Sequence, residues 1–426
     1  MNEYEAYLQK NYGISSAILE HIRICKEAIG SKIQEFEEIR QYNTLKILRA
    51  FQECALAERH FSGSTGYGLT DDGKYKLSEV FANIFGAEDA IVSPLFASGT
   101  HTINVALYGL LRPLDTMLCI TGEPYDTLVS TLGLKEGNQK GLGEFAINYS
   151  EIALTEDHEI NLEAALKQLY VDDGVKVVYL QRSRGYKLRP ALSISQIGEA
   201  ARAIKKAYPS VFVVVDNCYG EFTELREPTE VGADVIIGSL IKNPGAGIAP
   251  TGGYIAGTKE AITLIGGRFT CMGMGMEIGS YAAGYRPFFQ GLYLAPGATC
   301  IALKGAALAA EVFSSLGYEA FPGSNARRSD ITQAIIMKSR EELISFVQAV
   351  QKASPVDSHA LPYPDDMAGY DSKVIMASGS FIQGSSIELS ADAPLRAPYT
   401  AYFQGGLTEE SIELALMLAL KDMKLL

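Results

Sequence analysis

The sequence is short of basic residues. Lys and Arg total 37 against 50 Asp and Glu, for a formal net charge of −13. That balance argues against broad nucleic-acid binding, which needs a basic face, although it leaves room for a local basic pocket around one phosphate. Cysteine is sparse and scattered: the six, at positions 25, 54, 119, 218, 271 and 300, form no CxxC pair. This excludes zinc-ribbon spacing and a dense disulfide framework, and it fits reduced thiols in a cytoplasm. Histidine is scarcer still, with five residues and no HExxH spacing, so no metal site is expected. No apolar run approaches the length of a membrane span. The opening MNEYEAYLQKNYG lacks the basic start and apolar stretch of a secretory signal. A cytoplasmic protein without membrane or nucleic-acid partners is expected. Neither a GxGxxG after the first strand nor a GxxxxGK[ST] loop occurs, which disfavours a nucleotide-binding α/β enzyme. Repeats and low-complexity tracts are absent too.

What is present is a long globular chain of 426 residues, 47% apolar and 20% charged. Its length suits roughly two or three domains. Residues 1–60 read as a helical arm, with Ile33, Phe36, Ile39, Leu45, Leu48 and Phe51 at helical spacing. The Gly/Ser-rich FSGSTGYGLTDDGK then marks a loop. Residues 61–300 alternate apolar strands (VKVVYLQ, VFVVVDN, ADVIIGSL, GGYIAG) with helices such as 193–209. Continuous Val/Ile runs separated by helices indicate an α/β fold, its parallel or mixed sheet covered on both faces. Residues 301–426 read as a smaller α+β domain, with strands at DITQAIIMK, DSKVIMASGSF and SSIELS and a closing helix at TEESIELALMLALKDM.

The passage richest in chemistry is SLIKNPG, residues 239–245. Lys242 lies just beyond a buried strand, and on its own it reads as an exposed turn lysine. The strand VFVVV, however, ends in Asp216 and Asn217, and open α/β sheets hold ligands at strand carboxyl ends. A carboxylate there, together with the lysine, suits a pyridoxal 5'-phosphate site. The amine bonds the cofactor aldehyde, and the aspartate keeps the pyridine nitrogen protonated so that the ring accepts electrons. The plain alternative for Asp216 is a cap or turn. Ser98, Gly99 and Thr100 open a helix and form an anion cradle, with Ser239 as a further phosphate contact; an ordinary Ser cap is the alternative. Tyr125, in TGEPYDTL, is placed for a ring to lie over a flat cofactor, with His101 as a rival.

These passages, with GYGLTDDGKYKLSEVFANIFGAEDAIVSPLFASGTHTI, QRSRGY, VDNCYGEF and FQGLYLAP, resemble the fold-type-I, aspartate-aminotransferase-like pyridoxal-phosphate enzymes. Within them the chain looks like the cystathionine and methionine lyase branch, and most of all like the bacterial methionine gamma-lyase-like "aluminum resistance" family. The resemblance implies a mostly parallel central sheet with a smaller C-terminal α+β domain. It implies Lys242 as the Schiff-base lysine, Asp216 on the pyridine nitrogen, Ser98, Gly99, Thr100 and Ser239 around the phosphate, and Tyr125 stacked on the ring. Tyr67 resembles the tyrosine that reaches a neighbouring subunit's phosphate, which implies a homodimer or homotetramer with shared active sites. There are departures. Leu69 stands where the lyases carry an arginine, and QRSRGY replaces a usual Asn, which brings forward Arg182 or Arg184 for a substrate carboxylate or the cofactor. Arg396, in SADAPLRAPYT, is placed like the C-terminal carboxylate-binding arginine, a role that suits its bidentate donors. Each arginine reads equally as a structural ion pair. CMGMGME (271–277) reads as a flexible or subunit-facing segment.

The activity implied is carbon–sulfur lyase chemistry on a sulfur-containing amino acid of cystathionine, methionine or cysteine type. Lys242, its pKa lowered by burial and a nearby cation, takes the Cα proton, and Tyr125 protonates the departing sulfur. An aminotransferase or aldolase reaction uses the same cofactor residues. A non-catalytic stress-response protein is the remaining alternative, for which Lys242 is dispensable. Fold analogy names no substrate.

Overall fold

The computed structural model describes residues 2–133, 141–367 and 372–426. The N-terminal arm is three helices: α1 (Glu3–Tyr12), α2 (Ser16–Ala28) and α3 (Gly30–Glu53). Asn2 starts α1 through a reciprocal cap with Glu5, and Gly13 ends it at φ +63°, a left-handed conformation cheap for glycine. One face of α3, including Phe36, Ile47 and Ala50, is buried. Next comes α4 (Asp72–Ile84), capped by Asp71.

The large sheet takes seven strands: β1 (Asp89–Ser93), β2 (Thr116–Cys119), β3 (Asn148–Glu151), β4 (Val175–Gln181), β5 (Phe212–Asp216), β6 (Val235–Ser239) and β7 (Gly253–Gly257). Their order is β1-β7-β6-β5-β4-β2-β3. All pair in parallel except β7, which runs antiparallel between β1 and β6. Helices α5 (Gly99–Leu110), α6 (Asp126–Leu132), α7 (Leu162–Val171) and α8 (Ile194–Ala207) connect the strands, and α9 (Lys259–Gly266) follows β7. Val213 and Val215 point into one apolar layer with α8, while Val214 points into the other with α5 and α9. That two-sided burial explains why β5 is apolar up to its terminal Asp216 instead of alternating.

Helix α10 (Arg286–Ser314) follows. It is long and apolar enough to cross a membrane by composition, but most of it is buried inside the protein. It runs through position 300, where the sequence suggested a boundary, and packs against both α3 and the second sheet. That sheet is antiparallel and built from β8 (Glu319–Phe321), β9 (Thr332–Ile336), β10 (Val374–Ala377), β11 (Ser390–Pro394) and β12 (Thr400–Gln404), in the order β10-β11-β12-β9-β8. Helix α11 (Arg340–Ala353) covers it, and α12 (Glu409–Asp422) packs on α11, α10 and α2. The expected strand SSIELS is a loop. Glu388 turns its carboxylate onto the N–H groups of Phe381 and Ile382 at 2.8 and 2.9 Å, and the ladder begins only at Ser390.

Candidate active site

The carboxyl ends of β4, β5 and β6 open into a cavity of about 400 Å³, within the usual size of small-molecule sites. Asp216 is the last residue of β5. Its Oδ1 accepts the Cys218 N–H at 3.1 Å and its Oδ2 the Tyr179 hydroxyl at 3.4 Å. Burial raises its pKa, against the lowering effect of Lys242. Lys242 stands just past β6, at the start of a tight turn, Asn243–Gly245. Asn243 pins this turn by donating to the carbonyls of Tyr219 and Glu221 at 3.1 and 3.0 Å. Gly245 is forced: a Cβ there would lie 1.8 Å from the Leu240 carbonyl oxygen. The Lys242 ammonium sits 4.1 Å from the Tyr219 ring centroid, within cation–π range. Tyr219 itself holds φ +71°, a conformation costly for a bulky residue and one that gathers at functional sites.

The expected lowering of the lysine pKa is not what this site produces. Burial does disfavour the ammonium, but Cys218, Tyr219, Asp216 and Tyr125 surround it with acidic groups and hold its pKa above the ordinary value. No cation figures among these influences.

Helix α5 points its first turn at the cavity. Ser98 caps it, accepting the His101 N–H at 3.1 Å, and Gly99 and Thr100 line the wall. A Cβ on Gly99 would fill a cradle between Ser239 Cβ (3.5 Å) and Cys218 Sγ (3.7 Å). Tyr125 caps α6 from the opposite side. Its N–H donates to Gln181 Oε1 at 2.9 Å, its hydroxyl lies 3.1 Å from Thr100 Oγ1, and burial and Asp216 raise its pKa. His101 accepts the Ala97 N–H at 3.1 Å and is not in the cavity wall, whereas Tyr125 is. An ammonium, a buried carboxylate, a helix N-terminus and a glycine cradle around one cavity fit pyridoxal 5'-phosphate in charge and size.

The three arginines part company. Arg182 is 0% exposed and absent from the cavity wall. It donates to Asn217, Gly220, Thr223 and Glu224 and lies 3.5 Å from Glu227. That is the structural ion pair, not a substrate site. Arg184 does line the cavity. It donates to the Phe321 carbonyl at 2.6 Å, its Nε lies 3.9 Å from Asp330 Oδ2 without a hydrogen bond, and burial lowers its pKa against the raising effect of Asp330. Arg396 lines the mouth. Tyr67 lies outside this cavity and is 73% exposed, with Leu69 exposed beside it. The 271–277 segment turns back on itself through Cys271–Met274 and Cys271–Gly275 hydrogen bonds. Sequence reasoning missed Tyr219, Tyr186 and Asp392 in the wall. All three stood inside passages already quoted, Tyr219 in VDNCYGEF, Tyr186 in QRSRGY and Asp392 in SADAPLRAPYT, where attention went to the neighbouring arginines and aspartate. Among the described residues no group of three or more His, Cys, Asp or Glu could hold a metal ion.

The fold is that of the fold-type-I pyridoxal-phosphate-dependent enzymes. The Escherichia coli pyridoxal-5'-phosphate-dependent protein YhfS shares the fold at TM-score 0.62 and 16% identity, over 91% of this chain and 97% of that one. A family model described as methionine gamma-lyase matches residues 18–424, and the chain belongs to that family. The YnbB protein of Bacillus subtilis strain 168 is 44% identical over 391 residues, 92% of each chain. A carbon–sulfur lyase involved in aluminum resistance from Clostridium novyi NT is 45% identical at TM-score 0.94, covering 99% of each chain. A candidate cystathionine beta-lyase involved in aluminum resistance from Clostridium acetobutylicum is 44% identical at TM-score 0.95, again over 99% of each.

Proposed function

We propose that the protein is a pyridoxal-phosphate-dependent carbon–sulfur lyase that releases a sulfur leaving group from an amino acid. The observation that carries this reading is the convergence of Lys242, Asp216 and the α5 N-terminus on one cavity. When bound, the cofactor supplies an electron sink next to Cα. Lys242 would hold its aldehyde, Asp216 its ring nitrogen, and Ser98, Gly99, Thr100 and Ser239 its phosphate. The amine of Lys242, freed by the substrate, takes the Cα proton. Its acidic surroundings strengthen it as a base. Tyr125, kept protonated by burial, has a hydroxyl proton to give to the departing sulfur. Arg396 is free to take the substrate carboxylate at the mouth, whereas Arg184 is already engaged with Phe321. The exposed Tyr67 supports a second copy of the chain as partner, in a homodimer or homotetramer.

The test is a visible absorption spectrum of purified protein beside a Lys242→Ala variant. The wild type should show a yellow band that borohydride abolishes, and the variant should lack it. Elimination should then yield a thiol, a keto acid and ammonia without an amino acceptor. A protein that stays colourless with added pyridoxal phosphate refutes the reading.

A further inference from the structure

Beyond the residues assigned to the cofactor, Glu123, Arg184, Tyr186, Lys187, Asp392 and Arg396 share the cavity wall. The cations there have ready partners or stand at the rim. Arg184 donates to Phe321, and Lys187 donates to the Glu123 carbonyl. Asp392 is different. It lies on β11 between Ala391 and Ala393, which point into the core, so its own side chain takes the opposite face, toward the cavity. Its carboxylate accepts from Gln404 Nε2 at 3.2 Å and from the Tyr186 hydroxyl. Both partners are neutral. Among the described residues the cation whose charge reaches it is Lys242. A half-buried carboxylate with only neutral hydrogen-bond partners is poorly compensated. Beside it the Tyr186 ring packs on Tyr402 at 5.0 Å between centroids. A carboxylate next to an aromatic pair is the chemistry that binds an ammonium ion.

We propose that Asp392 and Tyr186 form a cation subsite that recognises a second ammonium group on the substrate side chain. The preferred substrate is then an amino-acid thioether with a distal ammonium, not one ending in a bare methyl. This rests on the lyase reading of the same cavity, in which the α-amino group is already committed to the cofactor. Burial raises the Asp392 carboxyl to about 6, which leaves it ionised at pH 7.5.

The experiment compares two near-isosteric thioethers with the holoenzyme at pH 7.5. S-(2-Aminoethyl)-L-cysteine and water give cysteamine, pyruvate and ammonia, and S-propyl-L-cysteine gives propanethiol with the same co-products. Wild type should favour the aminoethyl compound in kcat/KM by roughly tenfold, the worth of one modest charge-assisted contact. Asp392→Asn should bring that ratio near one, and Asp392→Glu should keep it above one. A second readout needs no variant and no turnover. L-Lysine should perturb the visible spectrum of wild type at roughly tenfold lower concentration than L-2-aminoheptanoate, whose methyl replaces the distal ammonium. Equal affinity for that pair, or a thioether ratio unchanged in Asp392→Asn, overturns the cation subsite while leaving the lyase reading intact. A colourless protein that eliminates neither thioether overturns both.

Discussion

Replacing Arg182 with methionine separates a structural arginine from a substrate arginine. The guanidinium is fully buried and contacts Asn217 Oδ1 at 2.7 Å, the Gly220 carbonyl at 2.9 Å and Glu224 at 3.1 Å, with Glu227 at 3.5 Å. Methionine matches its length but not its charge. Glu224 keeps Arg327 as a partner, whereas Glu227 keeps only neutral donors and the more distant Lys46. Removing one member of a buried pair costs about 3–5 kcal/mol. The loss should depend on pH. Burial already raises the Glu227 pKa, and Arg182 works against that rise, so the variant's Glu227 titrates higher still. A carboxyl whose folded pKa lies above its unfolded value of about 4.3 contributes stability that is present below that value. The contribution is lost as pH rises through the folded pKa. The deficit of Arg182→Met should therefore be smallest near pH 4.5 and grow toward pH 8. Urea unfolding midpoints at both pH values, with KM measured on the folded fraction, give the answer. A variant within about 1 kcal/mol of wild type at both pH values, with a raised KM, would refute the reasoning and return Arg182 to the substrate.

Three further outcomes are expected. Glu221 is buried beneath the Lys242 turn, accepts the Tyr254 hydroxyl at 2.8 Å and has its pKa pushed up to about 8 by burial. Its protonated form is favoured on folding, so wild type should lose stability as pH rises from about 4.5 to about 8, and Glu221→Gln should flatten that slope in denaturant titrations; an unchanged slope counts against it. Gly238→Ala would set a Cβ 2.3 Å from Tyr254 Cε1 and 2.6 Å from Glu221 Oε1, and should cost about 1–3 kcal/mol by overpacking; an unaltered melting temperature contradicts this. Tyr125→Phe removes the proton proposed for the leaving sulfur and should slow turnover of alkyl thioethers by roughly 10²-fold, with a smaller loss for aryl thioethers, whose thiolates leave unaided; equal turnover of alkyl substrates rules out that role.

The large sheet was legible because its strands are buried on both faces and read as apolar runs. β5 and β6 carry Asp216 and Lys242 at their ends, so reading those runs also located the core of the site. The small sheet was harder. Ser390–Pro394 is made of small residues and a proline, and it lacks the β-branched texture that marks a strand. The strand reading therefore settled on SSIELS instead, and Asp392 went unnoticed between two alanines. Arg182 and Arg184 are near neighbours in sequence with different fates: one is drawn beneath β5 by Asn217 and Glu224, the other reaches the cavity. That division depends on where Glu224, Glu227 and Asp330 lie after folding, which no local pattern encodes. The charge state of Lys242 was misjudged for the same reason, since its acidic neighbours come from separate segments.

The placement of β7 has a consequence for biosynthesis. It is the last strand of the large sheet to leave the ribosome, yet it sits between the first, β1, and β6. Until Gly253–Gly257 emerges, β1 has no partner strand and β6 is an open edge, a state that invites pairing with other nascent chains. The helix α4 that packs on β1 must hold that strand alone in the meantime. Long-range closure of this kind makes folding slow. Interrupted translation has a graded outcome: a chain stopped just before Ser390 already contains Lys242, Asp216 and Tyr125 but lacks Asp392 and Arg396. Such a fragment would carry the groups for the chemistry without the small-sheet groups proposed to select the substrate.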